Sequence, residues 1–410
     1  YFPCRAQTVT SAYLEARAPL VSPAQQRRWL RELEAQVSVR RDRYATYSGN
    51  LGNGIGVISP SDPLPPVDYR TSRSHSADYT VGLRYAPVED LALRMSFGSG
   101  FLPPSVVDVV PYGTEFNFSY GLADPRRGYT DTFVGLPYEY IYGGNPDLRP
   151  EQSESWSAGF ILTPRFAPGL RVSVDYTRIE KVDEFGAPEM QFLLDHEDML
   201  PGRITRGPKL QDDPPEWAGP ITAFNLGFIN IAKTTLEAYD VQADYTMDTA
   251  SGTFRWYVMG TWTPRYTKQS LPTLPELEHT GHSSAPLKWR GNFGLDWSRG
   301  GLTVGWNAQY FNSYIGYWAG EAYGKELFES SNGTAIVDRQ MYHDLVATWR
   351  IGPTASALRG LLASTQLSVG VQNVLNTSPP ILAITGPVSG RPYSGFGDPR
   401  LRRYSVSLRR

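Results

Sequence analysis

Every second residue along most of this chain is apolar, and that alternation restricts the fold more than any other feature. In 170–176, Leu170, Val172, Val174 and Tyr176 alternate with Arg171, Ser173 and Asp175; in 254–262, Phe254, Trp256, Val258 and Trp262 share one face. The repeat recurs at Tyr79/Val81/Leu83/Tyr85, Leu91/Leu93/Met95/Phe97, Trp156/Ala158/Phe160/Leu162, Leu302/Val304/Trp306/Ala308/Tyr310, Leu345/Ala347/Trp349/Ile351, Leu367/Val369/Val371 and Tyr404/Val406/Leu408. A period of two puts successive side chains on opposite faces of a strand, so each stretch has one apolar and one polar face.

About 13 strands are expected by this pattern, at 9–20, 31–47, 75–87, 89–101, 150–164, 169–185, 225–248, 252–267, 287–299, 302–317, 340–351, 365–376 and 402–410. Several exceed the usual strand of about 5 to 6 residues and reach the roughly 9 to 11 that a tilted membrane crossing requires. The only segment with helix-like spacing is Gln25 to Leu33, where Arg27, Arg28 and Arg31 oppose Trp29, Leu30 and Leu33. Short turns at 87–90, 165–169, 248–252 and 299–301 alternate with long segments at 102–149, 186–224, 268–286, 318–339 and 377–401. Short turns at one rim and long loops at the other are the pattern of an outer-membrane barrel, with the long loops outside the cell. Tyr44, Tyr47, Trp297, Tyr310, Tyr314 and Tyr317 lie near strand ends, where ring systems with one polar edge would form girdles at the headgroups. No linker interrupts the alternation, so residues 1–410 are expected to be one architectural unit.

Composition removes several classes. With 39 Lys+Arg against 41 Asp+Glu, the chain lacks the basic excess that nucleic-acid binding needs, and 13% aromatic residues is too many for a disordered acidic chain. Cys4 is the single cysteine, which excludes an intrachain disulfide and a cysteine zinc site. No apolar run reaches the roughly 18 residues of a spanning helix. The mean hydropathy of −0.36 suits a soluble protein. It suits a membrane barrel equally, because polar lumen residues dilute the lipid-facing ones.

The stretch Gly144-Asn145-Pro146-Asp147-Leu148-Arg149-Pro150-Glu151-Gln152-Ser153-Glu154-Ser155-Trp156-Ser157-Ala158-Gly159, followed by 170–179, resembles a signature of TonB-dependent outer-membrane receptors. Arg94-Met95-Ser96-Phe97-Gly98-Ser99-Gly100-Phe101-Leu102-Pro103-Pro104 is similar to another, Gly370-Val371-Gln372-Asn373-Val374-Leu375-Asn376 to their penultimate strand, and Gly397-Asp398-Pro399-Arg400 with Tyr404–Leu408 to their closing strand. The resemblance implies an all-β fold: the C-terminal part of an antiparallel transmembrane barrel of about 22 strands, without its plug and early strands. It also implies residence in the outer membrane, contact with its lipid, energy from the TonB complex through an N-terminal region, and an extracellular ligand. Such receptors end in an aromatic residue, whereas this chain ends Leu408-Arg409-Arg410, so a residue or two more is expected.

No residue pattern points to catalysis or a cofactor. Gly98-Ser99-Gly100 has no helix behind it, which argues against a nucleophile elbow. The glycines of Asn50-Leu51-Gly52-Asn53-Gly54-Ile55-Gly56 lie in a loop and make no phosphate cradle. Pro150 and Glu151 read as a strand entry, the carboxylate pairing with Arg149 or a backbone donor. His279 and His282, with Glu276 and Glu278, have metal-ligand spacing but no helix to align them; His75, His196 and His343 are scattered. Asp195, Glu197, Asp198, Asp212 and Asp213 make 186–224 an acidic loop that is either merely solvated or suited to capturing a cationic or ferric species. Arg84, Arg94, Arg171, Arg255, Asp244 and Asp296 would line a wet lumen. Three functions stay open: energised uptake of a scarce bulky ligand of the siderophore, cobalamin or glycan class, a passive porin, and a soluble carbohydrate-binding β-protein. A plug upstream distinguishes the first two, and a paired carboxylate site would mark the third.

Overall fold

A computed structural model describes residues 4–50, 67–117, 122–131, 138–320, 322–351, 365–383 and 393–409. Thirteen strands follow one another in a single antiparallel sheet, each bonded to its neighbours in sequence. They are β1 (Ala6–Val21), β2 (Glu32–Asn50), β3 (Asp68–Val88), β4 (Leu91–Leu102), β5 (Glu151–Leu162), β6 (Leu170–Gly186) and β7 (Ile229–Thr249), then β8 (Gly252–Gln269), β9 (Trp289–Arg299), β10 (Leu302–Phe311), β11 (Gln340–Arg350), β12 (Gln366–Gln372) and β13 (Arg403–Arg409). The two-residue strand Leu277–Glu278 joins this sheet on the flank of β8. Among the described residues no helix is long and apolar enough to cross a membrane.

Register turns the alternation of each strand into a continuous surface. One row runs Ala35, Leu83, Met95, Ala158, Tyr176, Tyr239, Trp262, Trp289. Another runs Tyr245, Trp256, Leu295, Trp306, Leu345, Val371, Tyr404. Among the described residues no protein layer covers this face: Trp156, Val258, Trp289, Trp349, Val369 and Val406 are all exposed. A soluble sandwich would bury such a surface of several hundred Å² or more; a barrel in lipid displays it.

The aromatic residues of this face collect in two bands. In one, Phe97 lies tilted against Trp156 at 4.3 Å, and Tyr176, Tyr239, Trp262 and Trp289 follow one another at 5.0, 5.1 and 5.3 Å between ring centres. In the other, Tyr245 lies 5.8 Å from Trp256. Trp256 and Trp262 are six residues apart on β8, roughly 20 Å along the tilted strand, a span that fits within the apolar band of about 25 Å of a membrane barrel. Tyr47, Trp297 and Tyr310 share this face, but three of the girdle residues expected from sequence do not belong to it. Tyr44 is on the opposite face against Phe101, and Tyr314 and Tyr317 pack inside the long loops.

The opposite face is polar and internally neutralised. Arg94 Nε donates to Asp175 at 2.7 Å, Arg255 bridges Asp244 (2.8 Å) and Asp296 (3.6 Å), Arg17 pairs with Glu34, and Arg84 with Glu32. Gly159 sits where a Cβ would stand 2.1 Å from the Asp175 carboxylate, so glycine there makes room for the Arg94 pair.

Some boundaries differ from the sequence expectation. Gln25–Leu33 is not helical: Pro23–Gln25 forms a 3-10 turn, Arg27 and Leu30 bridge, and β2 begins at Glu32. A hairpin turn satisfies the few backbone groups there, whereas so short a helix would not propagate. The strand expected over 302–317 stops at Phe311, because Tyr314–Ile315 pairs with Ile336–Val337 instead. The strand expected from 225 begins at Ile229, because Ile221–Asn225 joins a separate sheet. Residues 51–56 of the glycine run lie outside the described residues.

Candidate functional site

The long connections gather at one rim, and two of them fold into a unit of their own. Strands Pro111–Asn117 and Tyr138–Gly143 from the first connection, with Ile204–Arg206 and Ile221–Asn225 from the second, make a separate four-stranded sheet. The helix α1 (Met190–Asp195) lies beside it, and Leu193, Leu194, Ile221 and Phe224 form a buried core with Leu122, Met190, Leu200, Ile204 and Leu226 against it. The sequence reading missed this helix; the Met190, Leu193, Leu194 spacing is the signal that could have found it.

The acidic loop is thereby corrected: most of its carboxylates already have internal partners. Arg206 donates to Asp124 at 2.7 Å and to Glu197 at 2.7 Å, and the Asp124 side chain is fully buried. Burial alone would lower the Arg206 pKa, but its hydrogen bonds to Asp124 and Glu197 more than reverse this. Arg127 holds Asp213 at 2.6 Å with both side chains buried, and its guanidinium lies 5.0 Å from the centre of the Trp217 ring. The hydrogen bond from Arg127 holds the Asp213 carboxyl below its ordinary value. Arg126 pairs with Asp198, and Asp195 accepts from Gln191 at 2.9 Å. Asp212 is exposed. Such a loop has little unmatched negative charge with which to capture a cation.

The residues with metal-ligand spacing, Glu276, Glu278, His279 and His282, have other partners, and the described residues contain no group of three or more such side chains around one point. Glu276 accepts from Thr267 (2.9 Å) and Arg265 (2.6 Å), which lower its pKa. Glu278 accepts the backbone N–H groups of Tyr266 and Thr280. His279 packs against Tyr266, where burial lowers its pKa, and His282 packs against Tyr317. His196 rests on Phe192, His343 stacks on Trp306, and His75 is exposed on β3. Ser99 lies within β4, donating to Asp78 at 3.3 Å. Glu151 does not pair with Arg149: it takes Lys181 at 2.9 Å and the Phe185 N–H, while Arg149 takes Asp183 at 2.6 Å.

What the loops do build is a cleft of about 320 Å³ where they meet the sheet, lined by Asn145, Arg149, Met199, Leu200, Pro201, Arg203, Ile229, Asn230 and Ile231. Its walls are stapled by amides. Asn230 accepts from the Arg149 N–H (2.8 Å) and returns a bond to the Arg149 carbonyl (2.7 Å), while Asn145 donates to the Phe228 carbonyl at 3.0 Å. Gly144 is required beside it, since a Cβ there would stand 2.2 Å from the Asp108 carbonyl oxygen. Arg203 is the chemically unusual member. Its Nη1 donates to the Asn225 and Gly227 carbonyls (3.2 and 2.6 Å) and to the Asn225 side-chain oxygen (3.2 Å), and no carboxylate among the described residues pairs with it. Burial lowers its pKa, yet a guanidinium remains charged. The cleft therefore carries a half-buried positive charge held by neutral oxygens. Nothing in its spacing marks Arg203 in the sequence, where it is one arginine among many in a loop.

At the end of the sheet, the asparagines of 370–376 act as terminators. Asn373 and Asn376 have positive φ (51° and 56°); the Asn373 side chain bonds both the N–H and the carbonyl of Thr377, and Asn376 accepts from the Arg402 N–H. Nearby, the side-chain hydrogen bond from Arg400 holds the Asp398 carboxyl down to about 2. The stability this contributes is complete above the ordinary carboxyl value of about 3.9 and is lost as pH falls toward 2. A carboxyl titration by NMR is expected to show Asp398 still ionised at pH 3, and the Arg400→Gln variant to bring its midpoint back up.

A family model described as TonB dependent receptor-like, beta-barrel, matches residues 2–374. The chain belongs to this family. TonB-dependent receptor barrels are outer-membrane transport proteins, and barrels of that membrane turn their short connections to the periplasm and their long loops outward. Solved receptors share the fold at low identity. A mutant ferric enterobactin receptor from Pseudomonas aeruginosa, in complex with enterobactin, has a TM-score of 0.59 and 14% identity, over 98% of this chain and 54% of the receptor. The siderophore receptor PirA from Acinetobacter baumannii gives 0.57 and 12%, over 98% of this chain and 55% of its own. The chain thus spans about half the length of the receptors it matches. No curated protein matches it in the sequence search.

Proposed function

We propose that this chain is the barrel portion of a TonB-dependent receptor that takes up a bulky anionic ligand, such as a ferric siderophore or haem, across the outer membrane. All 410 residues serve as one architectural unit in this reading. The observation that carries it is Arg203: a charge without a carboxylate partner, half-buried in a cleft at the outer rim. At about 320 Å³ the cleft lies at the low end for ligand sites, which suits one arm of a larger ligand. The receptors of like fold from Pseudomonas aeruginosa and Acinetobacter baumannii take enterobactin or siderophores, which supports the class. The chemistry is binding and passage, with the Asn145 and Asn230 staples fixing the cleft walls and the charged inner face offering a wetted path. Energy coupling through TonB would lie with parts of the receptor outside these strands.

Uptake of radiolabelled iron by cells carrying the whole receptor tests this, using ferric enterobactin, other ferric siderophores and haemin as probes. The expected result is uptake that stops when the proton gradient is collapsed. Arg203→Gln is expected to weaken binding of an anionic chelate about tenfold, the worth of one charge-assisted hydrogen bond, with little effect on folding. Uptake indifferent to the gradient would instead establish a passive porin.

A further inference from the structure

Above the apolar band on the outer face of β1, β2 and β3 lies a group of cations with no acidic neighbours. Register places Val39 beside Tyr79, Arg41 beside Ala77, Arg43 beside His75, and Ala45 beside Arg73. Across on β1 the matching positions are Leu14, Ala12, Thr10 and Thr8. Arg41, Arg43, Arg73 and His75 are exposed, whereas the alternate residues Asp42, Thr46 and Ser76 are buried on the other face. No Asp or Glu occupies an outward position on these three strands, and no described residue makes an ion pair with Arg41, Arg43 or Arg73. The cluster begins where the band ends: Arg41 and Arg43 stand about 7 and 13 Å along the tilted strand beyond Val39, at the depth of lipid headgroups.

The rest of the outer rim supplies a contrast. On the same face of β6, β7 and β8, Arg178 pairs with Glu180, Lys233 with Glu180 and Glu276, and Arg265 with Glu237 and Glu276. That sector neutralises itself. The β2/β3 sector leaves three guanidinium groups to be met from outside, and the surface beneath it is hydrocarbon-facing. An anion there must therefore be one that membrane lipid carries, and arginine forks match the oxygens of a phosphate.

We propose that Arg41, Arg43 and Arg73 hold the phosphate of an outer-leaflet lipid headgroup, with the acyl chains lying along the Val39/Tyr79 band below. The test uses the whole receptor in detergent, diphosphoryl lipid A as probe, and native mass spectrometry to count retained lipid. The wild type is expected to retain lipid at a concentration where the triple variant Arg41→Gln/Arg43→Gln/Arg73→Gln retains at least tenfold less. On the unaltered receptor, dephosphorylated lipid is expected to be retained as poorly, and inorganic phosphate not to displace the phosphorylated lipid. Arg178→Gln, in the self-neutralised sector, is expected to change nothing. Equal retention by the triple variant, equal retention of the dephosphorylated lipid, or displacement by inorganic phosphate would each overturn the proposal. Equal loss in Arg178→Gln would overturn it too. The proposal depends on the membrane placement of this face but not on the ligand or on energy coupling, so it can fail while the uptake experiment succeeds.

Discussion

Arginine at Val258 is expected to destabilise the membrane-inserted barrel by about 2–4 kcal/mol, the cost of that side chain on the lipid face near the bilayer midplane. Val258 lies between Trp256 and Trp262 on the same face of β8, and its cross-strand neighbours Ala243 and Phe293 are as apolar as it is. Arginine at the adjacent Met259 is expected to be nearly neutral. Met259 lies on the other face, opposite Gln242 and Asn292, where water hydrates the charge. Urea unfolding of the whole receptor in lipid vesicles, followed by heat-modifiable gel migration, separates the two. A reversed order would mean that the faces are assigned backwards, and equal costs would mean that both are wet or both are buried.

The second large effect is expected from Arg206→Met. The substitution removes the cation shared by Asp124 and Glu197 and leaves a fully buried carboxylate without its partner. Breaking such a pair by removing one member costs about 3–5 kcal/mol. The loss should be confined to the loop unit, because its core of Leu193, Leu194, Ile221 and Phe224 is separate from the sheet below. Hydrogen exchange is expected to accelerate across 187–228 while the amides of β6 to β8 stay protected, and limited proteolysis should cut within the loops only. Asp124→Asn is expected to be milder, since Arg206 keeps Glu197 and the amide can still accept the bond. Exchange that accelerates in the barrel strands would show that loops and barrel unfold together.

The sheet was legible because a strand exposed to lipid on one face and water on the other must alternate throughout the part that crosses the hydrocarbon. β6 was expected at 169–185 and spans Leu170–Gly186; β8 was expected at 252–267 and spans Gly252–Gln269. The loops were not legible in the same way. Their elements are fixed by partners distant in sequence, as when Ile221–Asn225 pairs with Tyr138–Gly143 rather than continuing into β7. The helix α2 (Ala322–Asn332) was missed because it has few apolar residues; its Phe328 is held by contacts with the Leu287, Tyr314 and Val337 core. The acidic residues of 186–224 invited a cation-binding reading because a count of charges says nothing about pairing, and arginines at 126, 127 and 206 answer them in space. Arg203 was overlooked for the converse reason, since spacing along the chain does not show that no described carboxylate reaches it.

A loop pair that carries its own hydrophobic interior behaves as a cassette. Its contents can diverge, or be exchanged between receptors, while the strands that bear it keep the spacing that lipid demands. Stability of the loops and stability of the barrel are thereby separate quantities in one chain.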